Sequence, residues 1–279
     1  MREKPYIEVT GIATQEDAKQ VISGFKRAGI SMEKSHIPMA GVLSSHEPEN
    51  TYTSDWRYPR PERLRGIFED LSKLGIAALH YDSKNPKGFA EKLYPILRPL
   101  YEKGLCKGLQ INVHSPDKGQ VKKIASSFPE LEIILPLTRN GLKIATGSEE
   151  YEPIRVADYI RPYYDFISYV LVDPSLGKGG ELNANVYADI YAVIDEQFPE
   201  VCTILAGSFD HNNVHSRIRN LMDYIGSGFG IDAQSGLRSQ VRPKGITDSQ
   251  FNKNKHKYTL FAPERANEYL RNAARAFGV

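Results

Sequence analysis

The sequence predicts one α/β domain over residues 1–279, a closed (β/α)8 barrel with long loops after strands 2 and 8. Eight short apolar runs, rich in β-branched residues, alternate with longer amphipathic stretches. Eight parallel strands, each followed by a helix, close a barrel of this class. No low-complexity tract, linker or change of composition separates two halves of the chain. One barrel therefore accounts for the whole length.

The predicted strands are short enough for a buried parallel sheet. They cover residues 6–9, 37–43, 76–80, 108–113, 132–137, 166–172, 201–206 and 229–232. The first helix is expected to begin at Thr14, because Asp17 follows at the spacing of a capping box. The other helices are expected at 61–74, 86–103, 116–128, 153–164, 183–198, 212–225 and 263–277, and five of them begin at a proline.

Two connections are longer than a barrel requires. Residues 44–60 follow the second strand, and residues 236–259 follow the eighth. Both connections leave the carboxyl ends of strands, which is the face where barrel enzymes build their active sites. We therefore expect both loops to surround the mouth of a site.

The composition excludes several classes of protein. Thirty-six basic residues against 34 acidic ones give a net charge of only +2, which disfavours a protein that coats nucleic acid. Cys106 and Cys202 lack the CxxC spacing of a zinc or disulfide site. The chain shows neither a signal peptide nor an apolar run of the roughly 20 residues that span a bilayer. We expect a cytoplasmic protein with no membrane partner.

Glycine and serine follow strands 7 and 8, where barrels commonly bind phosphate through backbone amides. Gly207 and Ser208 come after the seventh strand, and Asp232, Ser235 and Gly236 come at the end of the eighth. Either segment alone could be a plain turn. Together they favour a site for a small phosphorylated substrate.

Polar residues at other strand ends are candidates for catalysis. Asp173 ends an apolar run and precedes a glycine-rich loop that ends at Gly180 and could close over a ligand. Desolvation at such a rim suits a general acid, but the carboxylate could also cap a helix or brace a loop. His114 could bind substrate, shuttle a proton or brace a loop.

Glu8 and Thr10 are two positions apart and so face the same side of strand 1. If that side is the barrel interior, Glu8 requires a partner, and a structural ion pair with Lys or Arg is favoured slightly over catalysis. His211 and His215 have i, i+4 spacing without the glutamate of a zinc helix, so we expect no metal.

The loop after strand 8 holds the one marked basic cluster. This cluster could steer an anionic substrate to the mouth or could be a solvated surface. Its members are Arg238, Arg242, Lys244, Lys253, Lys255 and Lys257.

Five segments carry a family resemblance. They are Val-Thr-Gly-Ile at 9–12 with Glu-Asp-Ala at 16–18, Arg-Tyr at 57–58 with Pro-Glu at 61–62, Leu-Val-Asp at 171–173 before Gly-Lys-Gly-Gly at 177–180, the stretch 207–214, and the stretch 232–236. In order and placement they resemble motifs of phosphoribosylanthranilate isomerase, a barrel enzyme of tryptophan biosynthesis. That enzyme converts an N-linked phosphoribosyl aldose to its 1-deoxyketose. The resemblance runs nearly from end to end of the chain.

The resemblance implies roles for three positions. In the family, a cysteine at the end of strand 1 removes the sugar C2 proton, the aspartate on strand 6 protonates the ring oxygen, and an arginine faces the anthranilate. This chain keeps the acid as Asp173 and the arginine as Arg57, but Thr10 occupies the cysteine position. A threonine hydroxyl keeps its proton at physiological pH, so the base is altered.

Three functions remain open, and none requires a cofactor. The favoured one is an isomerase-like enzyme acting on another small phosphorylated sugar-type substrate, with Glu8, His114 or Asp173 as base. The second is a genuine phosphoribosylanthranilate isomerase with a replaced base. The third is a barrel that binds a phosphorylated ligand without catalysis. Both monomers and homodimers are compatible with this class of barrel.

Overall fold

A computed structural model describes residues 3–47, 50–51, 54–173 and 183–279. Eight parallel strands pair in chain order, and the first pairs with the eighth, so the sheet closes into the predicted (β/α)8 barrel. The strands are β1 (Tyr6–Thr10), β2 (Ile37–Ser45), β3 (Ile76–Asp82), β4 (Gly108–Asn112), β5 (Glu132–Thr138), β6 (Tyr169–Asp173), β7 (Cys202–Leu205) and β8 (Gly230–Ala233). All eight predicted strands are confirmed, with ends that differ by up to three residues.

The helices surround the barrel and mostly begin where the sequence predicts. They are α1 (Gln15–Ala28), α2 (Pro61–Leu71), α3 (Phe89–Tyr101), α4 (Lys118–Ser127), α5 (Arg139–Thr146), α6 (Pro153–Ile160), α7 (Ala184–Gln197), α8 (Val214–Ile225), α9 (Asp248–Asn254) and α10 (Pro263–Phe277). Thr14 caps α1, and Asp17 completes the predicted capping box. No helix among the described residues is both long enough and apolar enough to cross a membrane.

The prediction missed one helix between β5 and β6 and the structure within the last long loop. Helix α5 has only eight residues, of which Gly141 and Leu142 are buried, so its apolar pattern is too short to mark a helix in the sequence. The loop after β8 contains α9 and two short antiparallel strands, β9 (Arg238–Gln240) and β10 (Thr259–Phe261). Three-residue strands carry too little pattern to be recognised from sequence.

An apolar cluster fills the barrel interior. Its members are Tyr6, Ile37, Met39, Ile76, Ala78, Ile134, Tyr169, Leu171, Cys202, Ile204 and Ala206. The inward positions of β1, β3 and β8 change from apolar to polar along each strand. Glu8, His80 and Asp232 each come two positions after an inward residue, which is Tyr6, Ala78 or Gly230 respectively. Polar side chains are thus buried toward the carboxyl end of the barrel.

Glu8 pairs with a histidine rather than with the Lys or Arg that the sequence suggests. Glu8 and His80 are 0% and 1% exposed, and Glu8 Oε1 lies 2.7 Å from His80 Nε2. The pair spans β2 at Gly41, where an added Cβ would lie 2.5 Å from His80 Nε2 and 2.6 Å from Glu8 Oε1. The bond between Glu8 of β1 and His80 of β3 therefore requires glycine at position 41.

We expect Gly41→Ala to lower the free energy of unfolding by roughly 3–5 kcal/mol, the cost of breaking a buried pair. Both clashing atoms belong to buried side chains that form the pair, so a shift that relieves the clash separates Glu8 from His80. Urea denaturation followed by circular dichroism would measure the change. Gly66→Ala in α2 is the matched control, because its new Cβ would meet only the end of the exposed Gln15 side chain. Equal stability of the two variants would contradict this account of Gly41.

Candidate functional site

A cavity of about 420 Å³ opens at the carboxyl ends of β7 and β8. Its walls come from the ends of these two strands and from the long loops after β2 and β8. Five of the residues predicted from sequence line it: Arg57, Gly207, Ser208, Asp232 and Ser235. Gly236 packs against the loop after β7, since an added Cβ would lie 2.5 Å from the Cβ of Asp210. Gly180 falls outside the described residues.

The loop after β7 is held in an unusual backbone conformation. Gly207 and Ser208 have φ values of 106° and 60°, and the latter is uncommon for a residue other than glycine. The carbonyl of Ser208 accepts hydrogen bonds from Asn213 Nδ2 at 2.7 Å and from Arg217 Nη1 at 3.2 Å. These bonds from the start of α8 stabilise the turn. The Ser208 hydroxyl is buried and has no hydrogen-bond partner among the described residues.

A second unsatisfied donor lies across the cavity, after β8. The Nε2 atom of Gln234 is buried and finds no partner within the described part of the chain. Gly11, at the end of β1, lies beside it with φ of 87°, and an added Cβ would be 3.2 Å from Gln234 Nε2. A buried amide without a hydrogen bond is costly, so a ligand oxygen would relieve it.

Arg238 is a buried cation in the cavity wall. It is 4% exposed and donates from Nε to Thr259 Oγ1 at 2.9 Å, from Nη2 to the Thr259 carbonyl at 2.7 Å, and from Nη1 to the Gly11 carbonyl. All three acceptors are neutral, and no carboxylate among the described residues forms an ion pair with it. Burial lowers the pKa of Arg238 to about 10, so the side chain remains charged at neutral pH. Such a charge favours an anionic ligand.

The fold thus buries one member of the basic cluster and leaves another at the surface. Pairing of β9 with β10 buries Arg238, which neither interpretation of the cluster anticipated. Arg242, four residues later, is exposed and pairs with Asp248 at 2.5 Å.

The two long loops meet at Arg57. Its guanidinium binds the buried carboxylate of Asp55, with Nη2 2.6 Å from Oδ2. The backbone N–H of Trp56 donates to the Lys257 carbonyl at 3.0 Å, which joins the loop after β2 to the loop after β8. Asp55 therefore holds Arg57 at the cavity while the loops support each other.

Asp232 is the carboxyl group that borders this cavity. Thr10 Oγ1 donates to Asp232 Oδ1 at 2.7 Å, and Glu8 is the strand partner of Asp232 in the pairing of β1 with β8. Burial and then the charge of Glu8 raise the pKa of Asp232 to about 8, against the opposing effects of His80 and of the Thr10 hydrogen bond. A proton on this carboxyl is thus exchangeable near physiological pH.

His80 and Asp82 of β3 were not found by the sequence reasoning. Burial favours the neutral form of His80, but Glu8 and the nearby aspartates outweigh burial and raise its pKa above the ordinary value. Burial raises the pKa of Asp82 to about 6, and Tyr58 donates to Asp82 Oδ2 at 2.9 Å. The two-residue spacing that selected Glu8 and Thr10 on β1 could have selected these residues as well.

The other catalytic candidates lie around the barrel mouth. Asp173 ends β6, half-buried, and in its ionised form it raises the pKa of Asp232. His114 is exposed, with Nδ1 3.4 Å from Thr138 Oγ1, and it does not line the cavity. Its predicted role stays a prediction. Within residues 3–47, 50–51, 54–173 and 183–279, no group of three potential metal ligands includes His211 or His215.

Comparisons with known proteins agree on the fold. No profile of a known protein family matches the chain, and no curated sequence matches it significantly. Phosphoribosyl anthranilate isomerase from Thermus thermophilus is similar in structure, with a TM-score of 0.59, 15% identity, and coverage of 97% of this chain and 98% of that one. The enzyme from Thermotoga maritima gives 0.58 and 15%, covering 97% and 99%. Tryptophan synthase subunit alpha from Legionella pneumophila gives 0.58 and 10%, covering 99% and 93%. At these identities the likeness shows the barrel fold, which the motifs also indicate.

We expect the free energy of unfolding of the wild-type protein to fall, relative to that of Asp232→Asn, as the pH rises from about 5 to about 8. The folded carboxyl keeps its proton up to about pH 8, whereas an unfolded aspartate loses it near about pH 3.9. The folded state therefore binds more protons in this window, and the stabilisation present at low pH is lost as the pH rises. The slope approaches about 1.4 kcal/mol per pH unit.

Urea denaturation at several pH values would measure this difference, and Asp165→Asn on the surface is the control. Parallel curves for wild type and Asp232→Asn would contradict the assignment.

Proposed function

We propose that the protein is an acid–base enzyme of the isomerase type, acting on a small phosphorylated sugar or a related compound. One observation carries the proposal: a single cavity at the barrel mouth combines a buried guanidinium and two polar donors, none of which has a charged or hydrogen-bonding partner that would satisfy it among the described residues apart from the neutral acceptors of Arg238, with a buried carboxyl. The cavity volume of about 420 Å³ is in the range of small-molecule sites.

A phosphate group fits the donors on both sides of the cavity. Phosphate oxygens accept several hydrogen bonds and carry a charge that a guanidinium stabilises. Ser208 Oγ and Gln234 Nε2 are buried donors that lack partners in the described structure, and Arg238 supplies the charge. These residues support phosphate binding between the ends of β7 and β8, as the glycine-serine segments predict.

Carboxyl groups at the barrel mouth are available for acid–base chemistry. Isomerisation of an aldose requires one group that removes a proton from carbon and another that protonates oxygen. Asp173 of β6 and Asp232 of β8 lie at the same mouth, and the family resemblance gives Asp173 the role of acid. No step requires a cofactor.

The original reaction of phosphoribosylanthranilate isomerase remains the second candidate, favoured by the five sequence segments and the shared fold. Growth of a tryptophan auxotroph that lacks this isomerase, rescued by the present gene, would select it. Failure of rescue even with Thr10→Cys would argue for a different substrate. A barrel that binds phosphate without turnover is the third candidate.

We expect inorganic phosphate at about ten times its Kd to raise the Tm of the wild-type protein by roughly 2–5 °C. Arg238→Met should abolish this shift, because it removes a buried charge that has no ion-pair partner among the described residues. Differential scanning calorimetry in phosphate and in a neutral buffer would measure it. Arg242→Met is the control, since Arg242 is exposed and already paired. An equal shift in Arg238→Met would contradict the proposed phosphate position.

We expect Asp173→Asn to lower kcat by about 10²–10⁴-fold, the usual contribution of a general acid. The substrates to test are N-(5-phosphoribosyl)anthranilate and ribose 5-phosphate, with conversion followed by fluorescence and by NMR. Asp165→Asn on the surface is the control carboxylate. Full turnover by Asp173→Asn would contradict the mechanism. A wild-type protein that binds phosphate but converts neither compound would favour the binding function.

A further inference from the structure

The proposed function does not assign the residue that removes the proton from carbon. In phosphoribosylanthranilate isomerase, whose motifs the sequence resembles, this base is a cysteine, and Thr10 occupies its position here. We infer that Asp232 of β8 is the general base and that Thr10 positions it. This inference rests on the proposed function and adds to it the identity of the base. The acid–base role is thereby transferred from the end of β1 to the end of the neighbouring strand β8.

The geometry places a carboxylate against the Thr10 hydroxyl. Thr10 Oγ1 and Asp232 Oδ1 are 2.7 Å apart, so Asp232 reaches the part of the barrel mouth where the side chain of residue 10 ends. Asp232 also lines the cavity of about 420 Å³ together with Ser208 and Ser235. Within the described residues, Asp232 forms no hydrogen bond other than the one from Thr10. Its Oδ2 atom is therefore left for a substrate.

Thr10 acts through Asp232 and does not remove a proton itself. Its hydroxyl proton is donated to Oδ1, and its side chain is 2% exposed. As a β-branched residue on a strand it has a restricted χ1, which fixes the direction of this bond. Thr10 is thus a positioning residue that orients the carboxylate toward the cavity.

The surroundings of Asp232 suit a base stronger than an ordinary aspartate. Titratable groups face it from every element packed around it: Tyr6 and Glu8 from β1, His80 from β3, Asp173 from β6 and Tyr269 from α10. Burial disfavours the charge on Asp232 most, the charge of Glu8 disfavours it further, and His80, which lies 2.7 Å from Glu8, opposes both effects. The resulting pKa of about 8 lies near the pH at which a cell works, where a general base is most effective.

The step is balanced with the two carboxyl groups alone. For an aldose phosphate in its open form, the C2–H bond breaks and the proton goes to Asp232. The electron pair forms a C1=C2 bond, and the C1 carbonyl oxygen takes a proton from Asp173 to give an enediol. Asp232 then returns its proton to C1 while the C2 hydroxyl proton goes back to Asp173, which yields the ketose and restores both groups.

The test measures proton removal separately from phosphate binding. Wild-type protein and variants are incubated in D₂O with ribose 5-phosphate or N-(5-phosphoribosyl)anthranilate, and NMR follows loss of the C2 proton. We expect Asp232→Asn to slow this exchange at least about 10²-fold while it keeps the phosphate-induced shift in Tm, which also shows that it is folded. Exchange at the wild-type rate in Asp232→Asn would overturn the inference and leave the proposed function standing.

A second measurement distinguishes positioning by Thr10 from a structural role. Thr10→Val removes a hydrogen bond that lowers the pKa of Asp232, so we expect the lower limb of the pH–rate profile to move to higher pH. Thr203→Val is the control, because Thr203 is a buried barrel threonine whose hydroxyl has no partner among the described residues. Identical profiles for wild type and Thr10→Val would overturn the positioning role.

A third measurement does not depend on any substrate. Infrared spectroscopy of the ligand-free protein should show a carboxylic acid band that titrates near about pH 8, is absent in Asp232→Asn and moves upward in Thr10→Val. A midpoint below about pH 5 would overturn the inference even if no compound were converted. Absence of both phosphate binding and exchange in the wild-type protein would instead refute the proposed function.

Discussion

The parallel pairing of β1 with β8 closes the barrel, and the candidate site depends on it. It brings Glu8 opposite Asp232 and Val9 opposite Ala233, although these residues come from the two ends of the chain. The bond from Thr10 to Asp232 spans 222 positions of sequence, and the bond from Arg238 to Gly11 spans 227. Without closure, the carboxyl group and the guanidinium would not share a cavity.

Closure also places charge where water is excluded. An apolar cluster fills the interior, so Glu8, His80 and Asp232 are desolvated. Burial of this kind is costly unless charges are paired, and the contact between Glu8 and His80 at Gly41 supplies one pair. Burial, and then the charge of Glu8, raise the pKa of Asp232 by more than His80 lowers it. The unfavourable burial of the Asp232 carboxyl thus occurs at the cavity, and unfavourable burial of this kind is common at functional sites.

The two long loops complete the cavity by contacting each other. Trp56 bonds to Lys257 across the mouth, and Asp55 fixes Arg57. The loop after β8 holds the basic cluster of six residues. The pairing of β9 with β10 buries one of them, Arg238, whereas Arg242 remains at the surface. In the sequence these arginines look alike, since a loop has no hydrophobic period that separates buried from exposed positions.

The barrel can be predicted from the sequence, because its evidence is local: eight apolar runs, the cap at Thr14 and the glycines after strands 7 and 8 each act within a few residues of chain. The sequence also indicates that Thr10 cannot be the base. Three contacts become visible in the folded chain alone: His80 pairs with Glu8, Arg238 lines the cavity, and Asp232 accepts a hydrogen bond from Thr10. Two of these contacts join residues that are 72 and 222 positions apart, and the third depends on strands of three residues. All of them result from the pairing of strands, which no local pattern in the sequence specifies.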